Sequence, residues 1–340
     1  MIEPGDIIHN RYHVLQELGD GGFGKTFEVE DTLEDSLMND HKVIKILTQS
    51  SDKVLGLFEQ EFNVLKQLNN PGIPRVEADA YIKFQCPHSR EILHSLVMEK
   101  IAGQDLGKWL EQNYKIPNSQ QAIEWLEQLT LILSHVHSQN YLHRDIKPNN
   151  IMLKPDGQLV LIDFGIVKEF IQKIQKQTIP ATMVGSLGYC SPEQEAGKEV
   201  DYTSDFFSLG RTFLHLLTGT YPGYDNFQRD RQTGKLLWQD KAPEISEEFK
   251  DLIDYLMEHD PKNRPQNTQK ILRLIQKIKA GQKQVILPIP IVFFSFALNF
   301  VLLTLLAMEV TLGIGLKVLF VVVLCVIGGF LFLPLIKYLL

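Results

Sequence analysis

Alternation of apolar and polar positions near the start of the chain predicts β-strands. Tyr12-His-Val-Leu-Gln-Glu-Leu18 comes first, glycines follow, Phe27-Glu-Val29 alternates again, and Lys42 to Leu47 is a third apolar-rich run. Between the last two, Asp31 to His41 is polar and reads as a long hairpin connection. From Leu55 the period changes. Leu55, Phe58, Phe62, Leu65 and Leu68 recur at helical spacing, and Asn69-Asn-Pro-Gly72 should stop that helix. Ile92 to Glu99 reads as another strand. After Gly103 the pattern is helical over Gln120 to Ser138, Ser204 to Thr218, Glu247 to Glu258 and Gln269 to Lys279. The stripe Trp125, Leu126, Leu129, Leu131 and Leu133 is expected to be core. Strands first and helices after predict an α+β, two-lobed chain: a small β-rich lobe over 12–99 and a larger helical lobe over 100–279. Residues 1–11 read as an N-terminal extension, and 280–284, with Gly281 and Lys283, as a linker.

Charge changes this picture in one place. The 340 residues carry 41 acidic and 34 basic side chains, for a net charge of −7, which argues against a nucleic-acid binder with its basic face. From Val285 to Leu340 the only charges are Glu309, Lys317 and Lys337. Val285 to Met308 and Val318 to Ile336 are uncharged, and a membrane span needs roughly 20 apolar residues. Residues 285–340 are therefore expected to form a transmembrane hairpin, with spans at about 287–308 and 314–336 and a turn at Gly313 and Gly315. Lys277, Lys279 and Lys283 before the first span, and Lys337 after the second, fit the positive-inside rule and put the body on the cytoplasmic side. The first residues lack a basic segment followed by an apolar run, so no cleaved signal peptide is expected. Cys86, Cys190 and Cys325 include no CxxC pair, which excludes a disulfide framework and a zinc ribbon; Cys86 and His88 lack a second pair to make a metal site.

The run Gly19-Asp-Gly21-Gly-Phe-Gly24-Lys25-Thr26 satisfies both G-x-G-x-x-G and G-x-x-x-x-G-K-T. Either motif lets backbone N–H groups approach phosphate oxygens with no Cβ in the way. Leu159 to Asp163 could even supply the second signature of a P-loop hydrolase. A P-loop or a dinucleotide fold must open a helix after the glycines. Lys25 to Asp31 instead alternates as a strand, so the run is a strand–loop–strand flap, with Lys25 a solvent-facing charge.

His143-Arg-Asp145-Ile-Lys147-Pro-Asn-Asn150 is followed by Ile151-Met-Leu153, a turn at Lys154-Pro-Asp-Gly157, Leu159 to Ile162, and Asp163-Phe-Gly165. Pro-Asp-Gly between two apolar runs marks a hairpin, which brings Asn150 and Asp163 together at its open end. An amide oxygen and a carboxylate converging there suit a hard cation held jointly with phosphates. Asp145, five residues before Asn150, is placed to orient a hydroxyl nucleophile.

With these motifs, Tyr12 to Lys279 resembles the eukaryotic-type (Hanks-type) serine/threonine protein kinases of bacteria, and GGFGKTF, SPEQ and SLGRTFLHLLTG are similar to cyanobacterial members. The resemblance implies the bilobal protein-kinase fold, ATP and Mg2+ as cofactors, and γ-phosphoryl transfer to Ser or Thr hydroxyls of proteins. It implies Asp145 as catalytic base, Lys147 beside the γ-phosphate, and Lys45, paired with Glu61, on the α- and β-phosphates. Around the nucleotide it places Leu18, Gly19, Asp20, Gly21, Gly22, Phe23, Gly24 and Thr26 in the flap. Met98, Glu99 and Ile101 then lie along adenine, Asp105 at the ribose, and Asn150 and Asp163 on the metal. Glu193 should pair with Arg264, and Asp205 should brace the catalytic loop. Gly165 to Glu193 is expected to be a phosphorylation-controlled loop, with Thr178 and Thr182 as acceptors and Arg144, Lys168, Lys173 and Lys176 as the receiving cations. Further partners are membrane lipid around the tail and a second copy for autophosphorylation; nucleic acid is not one. Two positions depart from the family pattern: Thr26 stands for a valine and Val43 for a small residue, which makes the adenine roof more polar and the pocket narrower. A partner-binding pseudokinase would lack one of Lys45, Asp145, Asn150 or Asp163, and all four are present.

Overall fold

The computed structural model describes residues 2–21, 24–32, 40–48, 51–116, 118–164, 188–223, 226–230 and 232–285. The chain divides into two compact units, Met1–Ile278 and Lys279–Leu340. Both expected membrane spans, and residues 165–187 of the segment expected to be phosphorylation-controlled, with Thr178 and Thr182, lie outside the described residues. Among the described residues no helix is long and apolar enough to cross a membrane.

Six antiparallel strands build the first lobe, in the order β1-β2-β3-β4-β6-β5. They are β1 (Ile7–Ile8), β2 (Tyr12–Gly21), β3 (Gly24–Asp31), β4 (Asp40–Leu47), β5 (Tyr81–Gln85) and β6 (Ile92–Glu99). Val14, Phe27, Val29, Ile44 and Ile46 turn one face of this sheet inward. Helix α1 (Asp52–Gln67) buries Val54, Phe58, Phe62 and Leu65, begins on Ser51, whose hydroxyl accepts from the Val54 amide, and ends before Asn69-Asn-Pro-Gly72. The flap is strand on both sides, as the alternation predicts: β2 and β3 pair up to Gly21 opposite Gly24.

Residues 2–11 are part of this lobe rather than an extension of it. Ile2 and Ile8 are buried, β1 pairs with β2, and the Arg11 guanidinium donates from Nε (2.8 Å) and Nη2 (2.7 Å) to the two Asp31 oxygens.

The second lobe is helical around a small sheet, β7-β8-β9 (Gln104–Asp105, Ile151–Leu153, Leu159–Leu161). Its helices are α2 (Leu106–Asn113), α3 (Ser119–Ser138), α4 (Pro192–Glu195), α5 (Tyr202–Thr218), α6 (Glu247–Leu256) and α7 (Thr268–Val285). Helix α5 is buried on nearly every side, from Thr203 through Thr218 with only His215 partly exposed, so it is the helix around which the lobe packs. Its close neighbour is α6: a Cβ on Gly210 would come within 2.6 Å of Met257 and 3.0 Å of Leu256. Two expectations change here. Leu131 is 51% exposed, because it lies across the α3 axis from the buried Trp125, Leu126, Leu129 and Leu133. Helix α7 continues through 280–284 to Val285, so the residues expected as a linker are helical.

Candidate active site

Between the lobes lies a cleft of about 490 Å³, within the range of roughly 300–1,000 Å³ usual for small-molecule sites. Leu18, Thr26, Val43, Met98 and Glu99 come from the sheet, Ile101 from the connecting segment, Asp105 from β7, and Asn150, Met152, Ile162 and Asp163 from the hairpin below. Of the predicted nucleotide residues, Gly19, Lys45 and Glu61 also line it. Asp20 and Gly24 do not; Gly22 and Phe23 lie outside the described residues, and Gly21 is described only as backbone. Asp20 sits 3.4 Å from Lys25 Nζ, which also donates to Glu17 at 2.9 Å; this is the strand charge expected at Lys25. Gly24 is required by packing rather than by phosphate, since a Cβ there would meet the Ile46 carbonyl oxygen on β4 at 2.5 Å.

Lys45 on β4 faces Thr26 on β3 and Leu96 on β6, and its ammonium donates to Glu61 Oε1 at 2.7 Å and to Asp163 Oδ1 at 2.6 Å. Glu61 is 1% exposed, and its Oε2 has no hydrogen-bond partner among the described residues. Burial raises the Glu61 carboxyl to about 6 against the pull of Lys45, with Asp163 adding to the rise. Burial opposes the charge of Lys45, but the Asp163 and Glu61 carboxylates outweigh it and raise its pKa, so the pair is ionised at neutral pH.

The loop His143–Asn150 is held from beneath. Asp205, in the first turn of α5, accepts from the His143 amide (Oδ2, 2.9 Å) and the Arg144 amide (Oδ1, 2.8 Å), and His137 Nε2 reaches Oδ2 at 2.8 Å. Burial pushes Asp205 up, but the His137 hydrogen bond and charge, with the other donors, lower its pKa below the ordinary value and keep it a carboxylate. These bonds stabilise Arg144 at φ 70°, while Asp163 sits at φ 60°; such backbone costs roughly 1–3 kcal/mol per residue and recurs where a side chain must be aimed. His143 is fully buried, which lowers its pKa; as a neutral ring it donates from Nε2 to the Ile162 carbonyl (3.1 Å), and its Nδ1 accepts from the Asp145 amide (3.4 Å). Asp145 Oδ2 accepts from Lys147 Nζ (2.9 Å) and Asn150 Nδ2 (2.8 Å), and that same Nδ2 also donates to the Asp145 carbonyl (2.8 Å).

The hairpin has the predicted form. β8 pairs with β9 in antiparallel register, Gly157 turns at φ 83°, and the Ile162 amide donates to the Asn150 carbonyl, so Asn150 and Asp163 flank the open end. Because the Asn150 amide nitrogen is committed to Asp145, its side-chain oxygen is the atom it offers a cation. Asp105 caps α2 by accepting from the Lys108 amide at 3.0 Å. A third structural pair also forms as expected: Arg264 Nη1 and Nη2 bond the Glu193 oxygens at 2.6 and 2.9 Å, and Ser204 Oγ donates to Glu193 at 2.5 Å.

The donor set fits a nucleoside triphosphate with a divalent cation. An apolar slot (Leu18, Val43, Met98, Ile101, Met152, Ile162) leads to one cation for phosphate oxygens and to an amide oxygen and a carboxylate for a hard metal. His137, which holds Asp205 from α3, is a site residue that no motif of the sequence marks. Its signal was its position in the last turn of α3, a few residues before the catalytic loop, which a single sequence does not separate from an ordinary helix histidine. Met152 and Ile162, the floor of the slot, were placed on strands but not in the site.

The protein kinase domain family matches residues 12–274. Serine/threonine-protein kinase C of Synechocystis sp. is 34% identical over 274 residues, covering 78% of this chain and 49% of that protein. Serine/threonine-protein kinase PknA of Nostoc sp. is 34% identical over 283 residues, covering 79% of this chain and 48% of that protein. The chain thus spans about half the length of these curated relatives. Among solved structures, the Mycobacterium tuberculosis PknI kinase domain superposes with a TM-score of 0.60 at 20% identity, covering 82% of this chain and 99% of that one. By its fold, its cleft and its sequence, the chain belongs to the protein kinase domain family.

Proposed function

We propose that this protein is a serine/threonine protein kinase that transfers the γ-phosphoryl group of ATP to hydroxyls of other proteins. The observation that carries the reading is Lys45, held at once by Glu61 from helix α1 and by Asp163 from the hairpin side. In phosphoryl transfer the transition state is loose and its charge lies on phosphate oxygens, so positioning and charge neutralisation supply most of the rate. Lys45 orients the α- and β-phosphates, and Lys147 neutralises charge growing on the transferred group. Asp145, with Oδ2 fixed by Lys147 and Asn150, orients the substrate hydroxyl and accepts its proton. Asn150 and Asp163 would hold Mg2+, which would supply further positive charge near the phosphates.

The same proposal anchors the protein in a membrane through residues 285–340, with the kinase domain on the cytoplasmic side, and places it under control of the loop Gly165 to Glu193. Support comes from the two uncharged stretches, from the flanking lysines, and from Arg144 next to Asp145 as a receiver for phosphate. The experiment compares wild type with Asp145→Asn, each given magnesium and labelled ATP on a generic basic protein. Wild type should label the substrate and the variant should not. A wild type that transfers nothing, even with its loop phosphorylated, removes the enzyme reading.

A further inference from the structure

The three strands that roof the cleft carry a second layer of side chains beside the first. Leu18, Thr26 and Val43 face the slot. Two residues from Thr26 and Val43 on the same strands, hence on the same face, stand Glu28 and His41, and Gln16 on β2 pairs opposite Glu28. They converge on one carboxylate. Glu28 is 4% exposed; its Oε2 accepts from Gln16 Nε2 at 2.8 Å, and its Oε1 meets His41 Nδ1 at 2.5 Å. The third partner comes from outside the sheet: Lys100 Nζ donates to Glu28 Oε1 at 2.5 Å.

Lys100 lies between Glu99 and Ile101, in the segment that joins the lobes and forms the edge of the slot, and it lines the cleft itself. A β-bulge between Val14 and Gln16 sets Gln16 directly opposite Glu28. Burial works against a charged Glu28, yet Lys100, Gln16 and His41 together lower it to about 2, so it is an anion at any working pH. Substituting either partner would leave the other charge without its mate, and a charge-assisted bond of this kind is among the stronger ones.

We propose that the Glu28–Lys100 ion pair is a strap that ties the β3 roof to the lobe-connecting segment and so fixes the height of the nucleoside slot. Glu28 and Lys100 are positioning residues: they touch the roof and the edge of the slot, not the reacting atoms. Holding the slot at its working width before the ligand arrives lowers the ordering cost of binding, so the strap acts on affinity and leaves the transfer step alone. This inference rests on the nucleotide reading of the cleft given above.

The test uses the full chain in four forms: parent, Glu28→Gln, Lys100→Met and the double variant. Binding of ATP and of adenosine, which lacks phosphates and needs no metal, is measured by calorimetry; kcat and KM for ATP are measured alongside. Each single variant should weaken both ligands about tenfold and raise KM to match, with kcat within about twofold, the size expected for losing one charge-assisted bond. The double variant should be no worse than either single one, and Lys100→Arg should restore most of the affinity. Unchanged adenosine and ATP affinity in the single variants overturns the strap, as does a fall in kcat with KM unchanged. If Glu28→Gln fails to fold, Lys100→Met, made at a partly exposed lysine, decides alone. A parent that binds neither ligand overturns instead the nucleotide reading on which the strap depends.

Discussion

Replacing Lys45 by Met should do two separable things, and one of them depends on pH in a direction the burial of Glu61 dictates. In the parent, burial lifts the Glu61 carboxyl from 4.5 to about 6. Keeping it ionised at pH 7 therefore costs about 2 kcal/mol of stability, at about 1.4 kcal/mol per tenfold change in proton affinity. Since the folded pKa is the higher one, the cost is small below pH 4.5 and grows as pH rises towards about 6. Without the ammonium 2.7 Å away, the same carboxyl, 1% exposed, is a buried glutamate with no cation. Such groups titrate near about pH 8, and at pH 7 the cost becomes about 3.4 kcal/mol. At pH 5 the parent and the variant both lose about 0.8 kcal/mol from this group. The stability deficit of Lys45→Met should thus shrink by about 1.4 kcal/mol from pH 7 to pH 5, or about 4 °C in thermal midpoint for a domain of this size. Circular dichroism melts of both proteins at pH 5, 6 and 7 and constant ionic strength measure it, and phosphate transfer by the variant should be absent throughout. A deficit equal at pH 5 and pH 7, or larger in acid, would refute the placement of Glu61 as a buried acid held ionised by Lys45.

The Glu193–Arg264 pair makes the opposite prediction: burial pushes Glu193 up, but the Arg264 and Ser204 bonds bring it from 4.5 down to about 2. Its contribution of about 3 kcal/mol should be present above pH 4.5 and lost as pH falls towards 2, a loss that Glu193→Gln should abolish in urea melts. Arg264→Met at pH 7 should cost roughly 3–5 kcal/mol, because it leaves Glu193 buried and unpaired. Replacing Thr178 and Thr182 together by Ala should reduce the kinase rate at least about tenfold if phosphate on that loop docks on cations; equal rates remove loop control. Cysteines placed singly at Thr311 and Leu340 should report the tail: an impermeant reagent applied to intact cells labels the first and not the second in a two-span hairpin.

How legible the molecule is in its sequence varies with the length of the pattern. Ile92–Glu99 is readable to the residue as an apolar-rich run of eight between charged residues, and α1, α3, α5 and α6 are readable to within a few residues. β1 has two residues, and no periodicity can be read from two. Gly281 looked like a stop, yet glycine costs only about 1 kcal/mol inside a helix, and the lysines and glutamines around it favour one. The catalytic hairpin was legible because its turn chemistry is local. Glu28 was not: its partners lie 12, 13 and 72 residues away, so only the folded sheet brings them together.

The depth at which α5 lies bears on which half of the site can be adjusted. Its amides should exchange with solvent only when the whole domain unfolds, whereas a helix packed on one face can open by itself. Asp205 projects from α5, so His143, Arg144 and the Asp145 they precede are tied to the last part of the protein to open. Glu61 sits on α1, which leaves a row of side chains in water and meets the sheet along one side. Deuterium uptake should therefore be slow around the base and faster around the partner of Lys45.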